Sequence, residues 1–475
     1  MTAAQLIETG GPTGPHELLE ARWVGRWVGR WVQPLKSDEK SMMSNIFVNT
    51  GTGPSLVPID IGHDVYTAVV EPDTAFWSLV RKDLLADVLA DPAFVQQVHE
   101  RSKDFATEMD TLRFGLVPSA VYFNPTERCN LNCTYCYLPQ ENRRHGEHMS
   151  QERLFEALET LLEFFHRTMP AGDRPQVIFH GAEPMLNRAA IFAAIDHFAD
   201  DFIFGVQTNG TLLDAEAIEF LTSRQISLGL SLDGPEAEVT DRTRRTFGGH
   251  GVHQKVIDAL EALRGYDNHS VICTATTENL AHLTSMVELF HSLEVPTCMI
   301  NAVRCTLPGG TKVKPSDADF AAAFLPALER THELFEQTGR KLVVANFANV
   351  ILGIVAPTAR RLMCDISPCG GGRCFFAVDA RGDLFPCSEF IGLPEFHGGN
   401  LFDRGLESAF GTEAFQSVTT RSVDKIDPCQ GCAIRHFCGA PCPAEALAIH
   451  DDAYTRGAFC EFYEEQVRYA MRLIA

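Results

Sequence analysis

Nowhere in its 475 residues does the sequence contain a run of eighteen apolar residues, so no transmembrane helix is expected. Its first residues lack a basic stretch followed by an apolar core and a small-residue cleavage site. No secretory signal is therefore expected, and the cytoplasm is the expected compartment. Basic charge is scarce: 40 Lys and Arg stand against 62 Asp and Glu, a formal charge of −22. A surface of that sign repels phosphate backbones, which disfavours nucleic acid as a partner. Cysteine is absent before position 129.

After that point cysteine is abundant. The chain holds fifteen, nine of them from Cys364 to Cys460. In a reducing compartment such bunching argues for metal or cluster ligation rather than disulfides. With 45% apolar and 21% charged residues, the rest reads as an ordinary globular chain of two or three domains.

Residues 1–45 are punctuated by Gly and Pro and carry a short repeat, Trp23-Val-Gly, Trp27-Val-Gly, Trp31-Val, interleaved with Arg22, Arg26 and Arg30. They are expected to be a poorly structured leader, with Met42 or Met43 as an alternative start. Residues 46–110 read as a small α+β module. Strands are expected at Ile46–Val48, Leu56–Ile61 and Val65–Val70, and helices at Leu84–Leu89 and Phe94–Phe105. The module is either a peptide-binding unit or a packing extension.

From 111 to 325, strands and helices alternate. Strands are expected at Ala120–Asn124, Gln176–His180, Phe202–Thr208, Ile226–Leu232, Ser270–Thr274 and Thr297–Ala302. Helices are expected between them, among them Gln151–His166 and Arg188–Phe198, with another over 316–339. Six such units predict an α/β fold with a parallel sheet, open or closed into part of a barrel. A helical linker at 326–361 and a loop-rich, cysteine-rich domain at 362–475 follow.

The segment Asn124-Pro-Thr-Glu-Arg-Cys129-Asn-Leu-Asn-Cys133-Thr-Tyr-Cys136 directly follows the first of these strands. Three thiolates on one short loop suit three irons of a cubane cluster and leave the fourth iron open. Structural zinc is the competing reading, but it needs four closed ligands and no fourth Cys or His stands nearby. A chance spacing is the bland alternative. Barrel sites lie at the C-terminal ends of the strands, where this loop falls.

CxxxCxxC with the aromatic Tyr135 before its last Cys resembles the signature of the radical S-adenosylmethionine (AdoMet) superfamily. The resemblance implies a partial (β/α)6 barrel, a [4Fe-4S] cluster on Cys129, Cys133 and Cys136, and AdoMet bound at the open iron and cleaved to a 5′-deoxyadenosyl radical. His180-Gly181-Ala182-Glu183-Pro184 resembles the family's Gly-Gly-Glu-Pro motif, which implies that the backbone at Gly181 and Ala182, together with Glu183, receives the cofactor ammonium. Gln207-Thr208-Asn209-Gly210 also resembles a family pattern, with Asn209 fixing the turn. Ser231 and Arg242 are implied as holders of the cofactor carboxylate, with Arg244 or Arg245 as alternatives to Arg242. Asn279 is either a ribose or adenine contact or a simple turn-former.

The C-terminal cysteines resemble the SPASM extension, an auxiliary-cluster domain. By that resemblance, Cys369, Cys374, Cys387 and Cys442 hold one [4Fe-4S] cluster, while Cys429, Cys432, Cys438 and Cys460 hold a second. Cys364 rivals Cys369 for the first position. Cys273, Cys298 and Cys305 read as small buried hydrophobes, Cys305 having the best claim among them to face substrate.

SPASM enzymes modify peptides, which implies a peptide or small-protein substrate. The cluster's reduction implies a reductase or a flavodoxin- or ferredoxin-type donor. Sulfatase maturases of this kind carry Asp directly after the cysteine matching Cys387. This sequence has Ser388 there and Glu389 next, which argues against formylglycine formation. From about residue 55 onward, including Val70-Glu-Pro-Asp-Thr-Ala-Phe-Trp77, the chain resembles the quinohemoprotein amine dehydrogenase maturation family. That likeness implies thioether crosslinks between Cys sulfur and Asp or Glu methylene carbons in the dehydrogenase γ subunit, with Glu389 or an Asp of the barrel as candidate base for the thiol. Other peptide maturases, and a non-catalytic iron–sulfur or zinc scaffold, are the alternatives.

Overall fold

The computed structural model describes residues 55–475 except Arg404 and Ala440. The expected leader, its Trp-Val-Gly repeat, Met42, Met43 and the strand Ile46–Val48 lie outside the described residues. The first described unit is an antiparallel sheet of β1 (Val57–Ile59), β2 (Tyr66–Glu71) and β3 (Phe76–Arg81). The last of these was not expected from the sequence. Both faces of the sheet are covered. Leu56, Val69, Phe76 and Val80 pack under the helix Pro92–Asp110 at Val98. Ile61, Ala68, Val70 and Trp77 join the main core, and Trp77 Nε1 donates to the carbonyl of Ile354 at 2.9 Å.

Six parallel strands follow in chain order: β4 (Ala120–Phe123), β5 (Gln176–Phe179), β6 (Ile203–Thr208), β7 (Ser227–Ser231), β8 (His269–Ala275) and β9 (Thr297–Ala302). The expected strands agree to within a residue or two, because each is a β-branched or aromatic run bounded by turn residues. The register explains the burial. Along β8, His269, Val271, Cys273 and Ala275 are buried under the helices, while Ser270, Ile272 and Thr274 are half-exposed on the other face. That face is the lumen, and it keeps room for ligands.

β4 and β9 do not meet. β10 (Val343–Val344) pairs with β9, while β11 (Phe375–Val378) and β12 (Leu384–Phe385) continue the sheet beyond β4. The barrel is therefore partial, and the cysteine-rich domain is welded to it through the parallel β4–β11 pair. The 326–361 stretch is more than a linker. It finishes the helix Asp317–Thr338, adds β10 and forms the helix Ala345–Val355. The C-terminal region ends in the amphipathic helix Cys460–Ile474, which buries Phe462, Val467, Ala470 and Met471. No helix among the described residues is long and apolar enough to cross a membrane.

Candidate active site

The loop carrying Cys129, Cys133 and Cys136 leaves the C-terminal end of β4 and is held from three sides. The buried Arg143 guanidinium donates to the carbonyls of Leu131 and Leu138, each at 3.1 Å. The amides of Asn132 and Thr134 donate to the carbonyls of Arg245 and Thr243. Asn209, 6% exposed, donates to Asn130 Oδ1 at 2.8 Å, and its own Oδ1 accepts from Thr211. This is the turn-fixing role expected of Asn209. The Leu131 amide points at Cys129 Sγ at 3.4 Å, as donors to cluster thiolates do.

Glu183 is fully buried. Its Oε1 accepts from the Met185 amide at 3.0 Å and from Thr208 Oγ1 at 2.7 Å, and its Oε2 accepts from the Asn209 amide at 2.7 Å. The carboxylate thus ties the β5 loop to the end of β6. Gly181 has φ 78°, and a Cβ there would lie 2.1 Å from Asn124 Nδ2. Only glycine allows that approach.

At the end of β7, Asp233 is 1% exposed. It accepts from the Tyr135 hydroxyl, from the Thr274 amide at 2.8 Å and from Arg244 Nη1 at 3.4 Å. Arg244 Nη1 also lies 2.6 Å from the Tyr135 hydroxyl. Of the three arginines considered from the sequence, Arg244 is the one buried in this cluster. Arg242 is exposed and reaches only the Glu278 carbonyl, and Arg245 is exposed too. Arg242 lies in the last turn of the helix Ala237–Thr243 and Arg245 just beyond it, both facing outward, whereas Arg244 turns inward beside Cys133. Ser231 is half-exposed at the tip of β7. Asn279 is buried, and its amide is consumed by Thr276, Thr274 and the Asp233 carbonyl. Those bonds close the turn after β8.

In the metal-free chain, burial pushes the Cys129 thiol up to about 12 and the Cys133 thiol up to about 11. Bound iron would relieve that cost by taking the thiolate form. Among the described residues, no three Cys, His, Asp or Glu side chains converge at the spacing of one metal ion. Cysteines that each bind a different iron of a cubane have no need to converge so tightly. Several buried polar atoms also lack partners: Asn124 Oδ1, His180 Nδ1, Arg244 Nε, Ser388 Oγ and Glu389 Oε2. All lie at the strand ends or on the facing cysteine-rich wall. The residues fit an AdoMet-bound cluster: the CxxxCxxC loop, a glycine cradle and a buried guanidinium with an unused donor.

Cys136, Tyr137 and Ala182 pack on the same hydrophobic cluster as Cys369, Cys387 and Cys442, around Leu138, Phe385 and Phe390. One apolar wall therefore joins the first cysteine loop to the later cysteines. Cys364 and Cys369 both influence Cys387 electrostatically, and Gly370 packs directly against Met363. Cys374 is 6% exposed in the main core. Cys429, Cys432 and Cys460 neighbour one another. Cys273, Cys298 and Cys305 are buried, and Cys305 turns its sulfur to the Val303 carbonyl. Glu389 faces Arg304 at 3.5 Å, and burial pushes its carboxyl up to about 7. No sequence motif by itself marks Arg304 or Asp233. Their position just past β9 and β7 was the available signal.

The Radical SAM superfamily profile matches residues 123–290, and the SPASM profile, an iron–sulfur cluster-binding domain, matches residues 369–433. An uncharacterized protein of Archaeoglobus fulgidus is 40% identical over 405 residues, 85% of this chain and 91% of its own. The cysteine-type anaerobic sulfatase-maturating enzyme of Clostridium perfringens is 24% identical over 73% of this chain and 94% of its own. The structure of anSMEcpe with bound AdoMet superposes with a TM-score of 0.65 at 22% identity, covering 75% of this chain and 94% of its own. Streptococcus suis SuiB bound to its precursor peptide SuiA gives 0.56 at 12% identity, covering 85% and 100%. The two domains imply AdoMet and several [4Fe-4S] clusters as cofactors. The chain belongs to the radical SAM superfamily and carries a C-terminal SPASM domain.

Proposed function

We propose that the protein is a peptide maturase that forms thioethers between Cys sulfur and Asp or Glu methylene carbons of a small protein, the γ subunit of a quinohemoprotein amine dehydrogenase. The apolar wall shared by Cys136, Cys387 and Cys442, with Glu389 beside it, carries this reading. It would bring the hydrogen-abstraction site, a base and an electron acceptor to one face of the barrel mouth. Each crosslink must remove one hydrogen atom, one proton and one electron. AdoMet and the clusters would supply the radical and accept the last electron. Cys129, Cys133 and Cys136 would hold the catalytic cluster. Cys374, Cys387 and Cys442, with Cys369 or its rival Cys364, would hold the nearer auxiliary cluster, and Cys429, Cys432, Cys438 and Cys460 the farther one. Gly181, Ala182 and Glu183 would receive the cofactor ammonium, Ser231 and Arg244 would hold its carboxylate, and Tyr135 would brace Arg244. Glu389 Oε2, buried without a partner, would take the thiol proton.

The electron enters from a flavodoxin- or ferredoxin-type donor or a reductase. The β1–β3 module would guide the peptide along its edge. Mass spectrometry of the γ subunit co-produced anaerobically with this chain tests the reading. Each crosslink removes two hydrogens and protects one thiol from alkylation. An unmodified γ subunit beside active AdoMet cleavage rejects it. Oxidation of Cys or Ser, as in sulfatase maturation, is the second reading, favoured by the C. perfringens relative. Ser388 in place of the Asp of those enzymes weighs against it.

A further inference from the structure

Arg304 lies two residues beyond the end of β9, at the mouth of the barrel. The segment that follows presses back on the cluster loop. A Cβ on Gly309 would lie 2.1 Å from the Thr134 carbonyl, and one on Gly310 2.0 Å from the Arg304 carbonyl. Arg304 is thereby fixed between the catalytic loop on one side and Glu389, Cys442, Glu445 and Tyr463 on the other.

The arginines around it each commit at least one terminal nitrogen to the protein. Arg143 holds the carbonyls of Leu131 and Leu138, Arg244 holds Tyr135, Arg360 holds the carbonyls of Asp365 and His436, and Arg373 those of Leu112 and Pro368. Arg304 differs. Its one polar contact among the described residues is the 3.5 Å approach of Nε to Glu389 Oε1, longer than an N–H···O hydrogen bond. Its side chain remains 28% exposed, and both terminal nitrogens are unused. A guanidinium with a free fork in a largely enclosed site is matched by a planar carboxylate bound through two hydrogen bonds.

We propose that Arg304 anchors a side-chain carboxylate of the substrate peptide, an Asp or Glu, and thereby presents the neighbouring methylene to the space beside Cys136. This rests on the proposed thioether reading for the identity of the peptide. The competing role for Arg304 is to balance the charge of the auxiliary thiolates, Cys442 first among them.

The test is a binding cycle on the full reconstituted chain with AdoMet, without oxygen. The ligands are the γ subunit and a version whose crosslinked Asp and Glu are changed to Asn and Gln, followed by fluorescence anisotropy. Wild type should prefer the acidic γ subunit by about tenfold or more. Arg304→Gln should shrink that preference to under about twofold, and Arg304→Lys should restore part of it, because a point charge replaces the fork. Iron content and the electron paramagnetic resonance spectrum should match wild type in both variants. A preference that survives in Arg304→Gln overturns the anchor. So does wild type without a preference, or iron loss in both variants with the preference intact, which is the signature of charge balancing. An acidic preference that depends on Arg304 in a γ subunit that is never crosslinked rejects the thioether chemistry and leaves the anchor standing. A γ subunit that does not bind in either form overturns both.

Discussion

Cys129, Cys133 and Cys136 come from one loop of eight consecutive residues, whereas the later cysteines come from segments as far apart as Cys364 and Cys460. The first set needs few fasteners. Arg143 and Asn209 hold it, and Glu183 ties the strand ends behind it. The second set is stitched by buried arginines reaching across the chain. Arg113 donates to the Ser367 carbonyl at 2.7 Å, Arg360 to that of His436 at 3.2 Å and Arg421 to that of Thr455 at 2.7 Å. Regular strands position the first site. In the second region, short turns between cysteines have little ladder bonding of their own, so long cationic side chains satisfy their carbonyls instead. A contiguous motif can thus be recognised and placed from sequence, while a dispersed one depends on long-range partners.

The largest effect should come from the first region. Cys136→Ala should leave no 5′-deoxyadenosine above background in the dithionite-reduced protein and lower iron by about four per chain. Cys387→Ala should also lose about four irons, but it should remove crosslinks from the mass spectrum while lowering AdoMet cleavage far less. Equal loss of both activities would break the division of labour between the two regions. Within the first region, Arg244→Met should weaken AdoMet binding about 10- to 100-fold, whereas Arg242→Met should change it by less than about twofold; equilibrium dialysis measures both. The smallest effect falls outside both regions. Trp77→Phe deletes one buried hydrogen bond to Ile354 and should cost about 1 kcal/mol in urea unfolding.

Periodicity made the six barrel strands legible, down to the bounds of β9. It missed β3, because Phe76, Trp77, Leu79 and Val80 read as an apolar patch after a turn until β2 supplies a partner. The joining of β10 and β11 to the barrel sheet was also hidden, since pairing between distant segments leaves no local period. At the site, the three cysteines, Gly181, Glu183 and Asn209 were readable because contiguous motifs carry them. The burial of Arg244 beside an exposed Arg242 was not, because two residues of spacing do not say which turns inward. Arg304 lacks a motif altogether. What marks it is the absence of hydrogen bonds, which only coordinates reveal.

The proposed chemistry places hydrogen abstraction on the substrate's acidic side chain, and isotope transfer reads that step directly. A γ subunit carrying deuterium on its Asp and Glu methylene carbons should yield 5′-deoxyadenosine enriched in one deuterium, while one labelled on its Cys methylene carbons should yield none. Deuterium arriving from cysteine would contradict the account and point to sulfatase-type oxidation.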